Sequence, residues 1–200
     1  MIIAHAGKTP RIDPAAWVAP DATVCGDVEI AAGSRVMHRA RIIGEAGGRI
    51  RIGRNVIVME NAVVRAGPRH PCSIADHCLI GPNAHVVGAT IEEQVFIATG
   101  AAIFHGAVIG QGSEVRINGV VHLKTRLAPG SSVPIGWVAV GDPAQILSPD
   151  QHDAIWEIQK PLNFPLSVYG FERDTPDLMI AITTRLSDAL GAHAGDPSSE

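Results

Sequence analysis

Cysteines and aromatic residues are scarce in this chain of 200 residues, and both shortages constrain its fold. The three cysteines form no C-x-x-C pair, and their odd number predicts free, buried thiols in a reducing compartment rather than a disulfide framework. Aromatic residues make up 4% of the chain, against 46% for all hydrophobic residues. The core must therefore be built from Val, Ile, Ala and Leu, a composition that suits short stacked strands.

Strong charge and long apolar runs are also missing. The chain carries 16 basic and 20 acidic residues, mixed along its length, for a formal net charge of −4. Because there is no polybasic tract, we expect no nucleic acid and no membrane surface among its partners. No stretch approaches the roughly 18 consecutive apolar residues of a membrane span, and residues 1–8 lack a basic region followed by an apolar run. These features predict a soluble cytoplasmic protein.

An aliphatic residue recurs at every sixth position through most of the chain, usually with a small residue two places before it. A period of six fits neither the 3.6 of a helix nor the 2 of a simple strand, and hexapeptide repeats are a signature of the parallel β-helix. We predict an all-β solenoid, since a sandwich of hairpins would show period-2 alternation and two-residue Gly-rich turns. The longest run, which opens with a step of five, is Val86, Ile91, Ile97, Ile103, Ile109, Val115 and Val121.

The repeat is interrupted at residues 45–48 and 66–73 and ends near residue 136. Beyond it, Ser148-Pro149-Asp150 has the pattern of a helix start and predicts a helix to about Lys160. A second start, Thr175-Pro176-Asp177, precedes an apolar stripe of Leu178, Ile182, Leu186 and Leu190. We therefore expect a β-helix domain over residues 1–147 and a helical extension over residues 148–200. Its helices would cap the last coil, and residues 195–200 would fray.

Several short motifs, spread over residues 12–147, resemble the gamma-class carbonic anhydrases of the hexapeptide-repeat superfamily. The resemblance implies a left-handed β-helix that assembles as a homotrimer; the handedness comes from the resemblance alone. The motifs are Trp17-Val18-Ala19-Pro20, Gly26-Asp27-Val28, Ile50-Arg51-Ile52-Gly53, Arg69-His70-Pro71 and Gly141-Asp142-Pro143-Ala144.

Active members of that family hold zinc at the subunit interface with three histidines. A gap-free alignment over residues 65–91 places Arg65, Pro82 and Val87 at those three positions, and none of these side chains is a zinc ligand. The family's nearby N-I-Q-D segment reads Ile57-Val58-Met59-Glu60 here. The resemblance therefore implies that the zinc site is lost, that no cofactor is bound there and that zinc-dependent hydration of carbon dioxide is absent. A metal bound elsewhere by other histidines stays open.

Two uses of Arg65 remain open. It can pair with Glu60 across the trimer interface and replace the metal as a structural link, since arginine suits bidentate pairing. Alternatively, Arg65 and His122 can hold the carboxylate, carbonyl or phosphate of a small ligand in a groove at the trimer interface. The other residues expected to line that groove are Glu60, Met59, Val87 and Phe104. The favoured interpretation is a small-molecule-binding protein of the carbonic anhydrase group without the zinc chemistry. His38, on the coil before Glu60, is the expected hydrogen-bonding partner of that carboxylate.

Two further functions compete with ligand binding. One is a zinc-free enzyme: an acyltransferase with His122 as general base, or a lyase or hydratase using Arg65, Glu60 and His122. The other is a scaffold that binds a protein partner through the C-terminal helices. The aromatic residues that concentrate there are Trp156, Phe164, Tyr169 and Phe171.

Overall fold

The computed structural model describes residues 1–197, which consist of many short strands followed by a few helices. In chain order, the strands are β1 (Ile2–Ile3), β2 (Arg11–Ile12), β3 (Trp17–Val18), β4 (Thr23–Cys25), β5 (Val28–Ile30), β6 (Arg35–Val36), β7 (Arg41–Gly44), β8 (Ile50–Ile52), β9 (Ile57–Val58), β10 (Val63–Ala66), β11 (Cys72–Ile74) and β12 (Leu79–Ile80). They continue with β13 (His85–Val87), β14 (Thr90–Ile91), β15 (Phe96–Ile97), β16 (Ala102–Ile103), β17 (Val108–Ile109), β18 (Glu114–Val115), β19 (Val120–Val121), β20 (Arg126–Leu127), β21 (Ser132–Val133), β22 (Val138–Val140) and β23 (Gln145–Leu147).

Every third strand belongs to the same sheet, as expected for a coil with three sides. Sheet 1 has the order β1-β4-β7-β10-β13-β16-β19-β22-β23, sheet 2 runs from β2 to β20 and sheet 3 from β3 to β21. Neighbouring strands pair in parallel, except that β23 turns back antiparallel to β22. The predicted β-solenoid is therefore confirmed.

The six-residue repeat corresponds to one inward-pointing side chain on each side of the coil. In sheet 1 these residues stack in one column, with each opposite the next across the strand pairs: Val24, Ile42, Val64, Val86, Ile103 and Val121. All six are fully buried. The small residues two places earlier, including Ala22, Ala40, Ala62 and Ala84, are equally buried. Aliphatic stacking along the axis thus forms a single continuous core.

The helical extension contains α1 (His152–Gln159), a 3₁₀ turn (Lys160–Leu162), a π-helical turn (Pro165–Tyr169), α2 (Leu178–Leu190) and a 3₁₀ turn (Gly191–Gly195); a further 3₁₀ turn (Glu45–Gly47) interrupts the solenoid. The predicted start of the first helix at Ser148 is wrong. The Ser148 hydroxyl and backbone N–H both donate to the Gln151 side chain at 3.1 Å, which closes a separate turn before α1 begins.

The two main helices pack in different places. α1 lies at the C-terminal end of the coil, where Ile158 reaches the backbone of Gly141 and Ile155 is buried. α2 forms as predicted, but only Ile182 of its apolar stripe is buried. The chain after α1 runs back along the outer face of sheet 1, where the Arg69 guanidinium donates to the Val168 carbonyl at 2.7 Å.

The predicted fraying of the C-terminus is wrong for Gly195 and Asp196. Gly195 ends the last 3₁₀ turn, and the Asp196 carboxylate hydrogen-bonds to the ring of His5 at 2.8 Å. Residues 198–200 lie outside the described part of the chain. All three cysteines are free and buried, as predicted. Within residues 1–197, no helix combines the length and the apolar character needed to cross a bilayer.

Candidate functional site

Arg65 stands on the outer face of sheet 1. Strand alternation points Val64 into the core and Arg65 outward, between Ile43 of β7 and Val87 of β13. The side chain is 38% exposed, and its Nη2 donates to Glu45 Oε2 at 2.8 Å. Nε and Nη1 of Arg65 have no hydrogen-bond acceptor among residues 1–197. The guanidinium therefore keeps donors available for a ligand.

A cavity of about 290 Å³ separates sheet 1 from the helical extension, and we call it the Arg65 groove. Its sheet side includes Arg65, Val87 and His105, and its extension side includes Phe171 and Ile182. The volume lies at the small end of the range for ligand pockets, which are typically apolar with a few placed polar groups. The groove therefore suits a small molecule with an apolar body.

The lining of the groove carries more positive than negative charge. Three guanidinium groups line it, those of Arg65, Arg69 and Arg185, against one carboxylate, that of Glu45. Arg185 Nη1 donates to the Tyr169 carbonyl at 3.3 Å, and its guanidinium lies 5.5 Å from the centre of the Phe171 ring. Arg185 therefore makes its contacts within the extension, whereas Arg69 joins the extension to the solenoid through the Val168 carbonyl. An anionic group would be attracted to the excess of positive charge.

Two histidines form one end of the groove. The rings of His70 and His105 meet edge to face with centroids 5.0 Å apart, and the His70 Nε2 lies 3.0 Å from the Ser167 carbonyl oxygen. Burial, with further contributions from His70 and His85, lowers the pKa of His105 to about 4, so its ring is neutral near pH 7. Its Nδ1 is buried and has no hydrogen-bond partner among the described residues.

Gly88 makes room for this pair of rings. Its φ of +56° is in the left-handed region, and a Cβ added there would stand 2.5 Å from the His70 Cβ. The same added atom would lie 3.3 Å from His105 Cδ2. A glycine directly after Val87 is therefore required by the shape of the groove.

The structure brings together only part of the predicted ligand set. Arg65 and Val87 both line the groove, whereas Glu60, Met59 and Phe104 do not. Glu60 precedes β10 and Arg65 lies towards its other end, so within one chain the two side chains are separated by the strand. Within one chain the predicted Arg65–Glu60 pair is replaced by Arg65–Glu45; a pair across a subunit interface stays a prediction.

The predicted hydrogen bond between His38 and Glu60 is not present in the structure, so that prediction is wrong. His38 Nδ1 contacts Asp21 Oδ1 at 2.7 Å instead, because Asp21 lies at the same corner of the preceding coil. The Glu60 side chain has no hydrogen-bond partner among the described residues. Glu60 thus has no contact within the chain that would position it for catalysis.

His122 is also remote from Arg65. The register of sheet 1 places it beside Phe104, with ring centroids 6.0 Å apart, and three coils from Arg65, roughly 14 Å along the axis. Its Nδ1 is buried without a partner among the described residues, and burial lowers its pKa. Arg65, Glu60 and His122 therefore do not converge within one chain. An acyltransferase role for His122 stays a prediction.

The sequence analysis did not assign several of the groove residues to a ligand site, although it named Arg69 and His70 within a family motif. These residues are Glu45, Arg69, His70, His105 and Arg185. One sequence signal could have found the first three. The two interruptions of the repeat, residues 45–48 and 66–73, follow β7 and β10 in sheet 1, so they occur at the same corner of adjacent coils. Insertions stacked at one corner project beside the sheet, and a pocket can form between them and the sheet.

A larger depression of about 620 Å³ lies on sheet 2, but it is a less suitable site. It is an open surface, and both of the guanidinium groups that line it already have carboxylate partners. Arg51 pairs with both Asp27 and Glu29, and Arg11 pairs with Glu29. The Arg65 groove is smaller, more enclosed and has unused donors, so we consider it the candidate site.

The family zinc positions do not fit zinc in this chain. Arg65 and Val87 are paired across β10 and β13, and Pro82 follows β12 in a turn. A guanidinium, a proline ring and an isopropyl group offer no lone pair to a divalent cation, whereas catalytic zinc requires three protein ligands. These three side chains thus do not suit zinc, and the loss of the family's zinc site in this chain stays a prediction.

Comparisons with known proteins agree with this architecture. No family model matches the chain. A structure of a hexapeptide transferase family protein from Anaplasma phagocytophilum superposes with a TM-score of 0.51 and covers 97% of this chain and 98% of that one, at 17% identity. At that identity the likeness shows the fold alone. The fold class is the left-handed parallel β-helix of hexapeptide repeats.

Sequence relatives indicate which proteins with this fold the chain resembles. The chain is 32% identical over 146 residues to gamma carbonic anhydrase 1, mitochondrial, of Arabidopsis thaliana; the match covers 70% of this chain and 50% of the relative. It is 28% identical over 160 residues to a carbonic anhydrase of Geobacillus kaustophilus, with 80% and 84% covered. The chain is thus a homologue of the gamma carbonic anhydrases, which confirms the resemblance found in the sequence. It spans about half the length of the plant relative.

Proposed function

We propose that this chain binds a small anionic molecule in the Arg65 groove and does not hydrate carbon dioxide at the zinc position of its relatives. The observation that carries the proposal is the groove itself: a mostly apolar cavity of about 290 Å³ that Arg65 lines with donors that Glu45 does not use. A guanidinium is the side chain best suited to recognise a planar carboxylate or a phosphate through two parallel hydrogen bonds.

The lining favours a carboxylate on an apolar body over a strongly polar ligand. Val87 beside Arg65 in sheet 1, and Phe171 and Ile182 on the extension, supply apolar walls. The buried, unpartnered Nδ1 of His105 supplies one more polar contact. Leaving such a nitrogen unpaired costs free energy, so a ligand that pairs with it gains that amount on binding. The volume of the groove is too small for a nucleotide cofactor together with a substrate.

The proposed site lies within a single chain. The sequence interpretation placed the ligand at a trimer interface, but the helical extension of the same chain forms the outer wall of the groove. The homotrimer implied by the family, the division into domains and the cytoplasmic location stay predictions. Ligand binding in this groove depends on none of them, so it is measurable at any oligomeric state.

Binding of matched probes tests the proposal. We expect benzoate to bind with a measurable heat in isothermal titration and benzamide, its neutral analogue, to bind at least about 10-fold more weakly. Arg65→Gln should remove this discrimination, and Arg65→Lys should restore part of it. Arg116→Gln is the matched control, because Arg116 pairs only with the exposed Glu114 at 3.3 Å on another face.

Two results would overturn the proposal. One is the absence of binding of benzoate, acetate and inorganic phosphate to the natural chain at millimolar concentration. The other is benzoate binding that Arg65→Gln leaves unchanged while its thermal unfolding shows a folded protein. A crystal soaked in benzoate then gives the direct answer, since a carboxylate oxygen should lie within hydrogen-bond distance of an Arg65 N–H that Glu45 does not use.

A further inference from the structure

Four side chains that can ligate a metal meet at the N-terminal end of the solenoid. They are His5, Cys25, His193 and Asp196, and one ligand atom from each lies within 4.8 Å of all the others. His5 is 2% exposed and Cys25 is 3% exposed, so the cluster is enclosed. Three separate parts of the chain build it: the segment after β1, the outer face of β4 and the turn after α2.

The two imidazole rings lie face to face, with centroids 4.0 Å apart and planes 16° from parallel. The Asp196 carboxylate bridges them, 2.8 Å from the His5 Nδ1 and 2.6 Å from the His193 Nδ1. Glu45 approaches from the other side, with Oε1 2.9 Å from the His193 Nε2. These donors and acceptors converge on one small volume, as the ligands of a bound cation do.

The donor set selects a class of cation. A thiol, two imidazoles and a carboxylate are the ligands of zinc and of related first-row transition metals, whereas magnesium and calcium prefer oxygen alone. Four protein ligands complete a tetrahedron and leave no open position, which is the arrangement of a structural site. Ligand nitrogens at 2.0–2.1 Å from zinc stand about 3.3 Å apart, so the Asp196 contacts of 2.6 and 2.8 Å must lengthen on binding. The stacked imidazoles must also turn until the cation lies in the plane of each ring.

We propose that His5, Cys25, His193 and Asp196 bind a divalent transition-metal cation of the zinc class. This centre shares no residue with the three family positions, Arg65, Pro82 and Val87. Glu45 stays outside the ligand set and accepts a hydrogen bond from the remaining N–H of His193, a contact that fixes the orientation of a metal-bound ring. The sequence analysis expected no cofactor because the family's histidines are replaced, and it left a metal bound elsewhere open. It did not find this cluster, whose members are separated by up to 191 positions.

The cation would tie the C-terminal extension to the solenoid. Cys25 stands in sheet 1 opposite Ile3 and Ile43, whereas His193 and Asp196 belong to the end of the extension. Glu45 continues the connection, since its other oxygen accepts the hydrogen bond of Arg65. A metal-bound chain should therefore hold the wall of the Arg65 groove more firmly, because the free energy of binding adds to the free energy of folding.

Metal analysis of the full chain tests the proposal directly. Protein purified without chelator or affinity tag should contain close to one equivalent of zinc per chain. After removal of the metal, Co²⁺ alone is the probe. We expect an intense near-ultraviolet band from thiolate-to-cobalt charge transfer and visible bands of tetrahedral intensity, together with an increase in thermal stability.

Matched variants separate this site from any other. Cys25→Ser should abolish the charge-transfer band, and His193→Ala should weaken Co²⁺ binding by at least about 100-fold. Cys78→Ala is the control, because Cys78 is buried in the core away from the cluster. His193 is only partly buried, so His193→Ala should remain folded even if Cys25→Ser does not fold.

The proposal fails if the chain binds neither zinc nor cobalt, which would leave the cluster a hydrogen-bonded ring that links the tail to His5. It also fails if cobalt binds without a thiolate band and is unaffected by both variants, since the metal would then be elsewhere. Neither result affects anion binding by Arg65, which is measured separately with benzoate.

Discussion

Arg65 and Glu45 form an ion pair on the outer face of sheet 1, with Nη2 of the first donating to Oε2 of the second at 2.8 Å. The pair lies between the two sites of the molecule. Arg65 points its remaining donors towards the groove, while the other oxygen of Glu45 contacts His193 in the cluster at the tail. Glu45 would thus compete with the proposed anionic ligand for Arg65, and it also contacts the cluster at the tail.

The first prediction follows from that competition. Glu45→Gln removes the carboxylate that neutralises part of the Arg65 charge, so benzoate affinity should rise by about 5-fold, or roughly 1 kcal/mol. Isothermal titration measures the change. Glu114→Gln, which removes an exposed carboxylate beside Arg116, is the control and should leave affinity unchanged. Weaker binding in Glu45→Gln would contradict the view that Glu45 and the ligand compete.

The second prediction concerns the core. Ile103 is fully buried between Val86 and Val121, so Ile103→Ala should leave a cavity and cost roughly 2–4 kcal/mol of unfolding free energy. Ile117 is 46% exposed, and Ile117→Ala should cost less than about 0.5 kcal/mol. Urea unfolding at one fixed protein concentration measures both. If the two variants lost equal amounts of unfolding free energy, Ile103 would not be part of a buried column of inward-pointing residues.

The regular part of the molecule could be predicted because its determinants are local. Each coil repeats the same six-residue pattern, so strand alternation predicts that the Val64 side chain points inward and the Arg65 side chain outward. The groove could not be predicted in the same way, since its outer wall comes from residues 168–189 and their path depends on the irregular segment after α1. Ser148 shows the same limit on a smaller scale: its helix-start pattern was overridden by the side chain of Gln151.

The third prediction concerns the chemistry of the relatives. The natural chain supplied with zinc should show no hydration of carbon dioxide above the buffer rate in a stopped-flow indicator assay. The family positions offer Arg65, Pro82 and Val87, and the proposed centre at Cys25 has four protein ligands with no position for a reactive water. Geobacillus kaustophilus carbonic anhydrase is a suitable positive control. Any zinc-dependent hydration above the buffer rate would contradict this prediction, and its survival in His193→Ala would exclude the proposed centre as its source.

The last prediction is a dependence of stability on pH that originates at His105. Its pKa is lowered to about 4 by burial and by His70 and His85, against 6.5 for an unperturbed histidine. As the pH falls below 6.5, the unfolded chain binds a proton at this residue and the folded chain does not, so stability decreases between about pH 6.5 and pH 4. Below that window the loss is complete.

Because the ring of His105 is partly exposed, we expect a loss of about 1–2 kcal/mol, less than the full pKa difference would give. Urea unfolding of the natural chain and of His105→Phe across this range measures it, and the variant should have a flatter profile. His77→Asn is the control: His77 is exposed in a turn with positive φ, a conformation that asparagine tolerates, so its profile should match the natural chain. If His105→Phe has the same dependence of stability on pH as the natural chain, the titrating group is a residue other than His105.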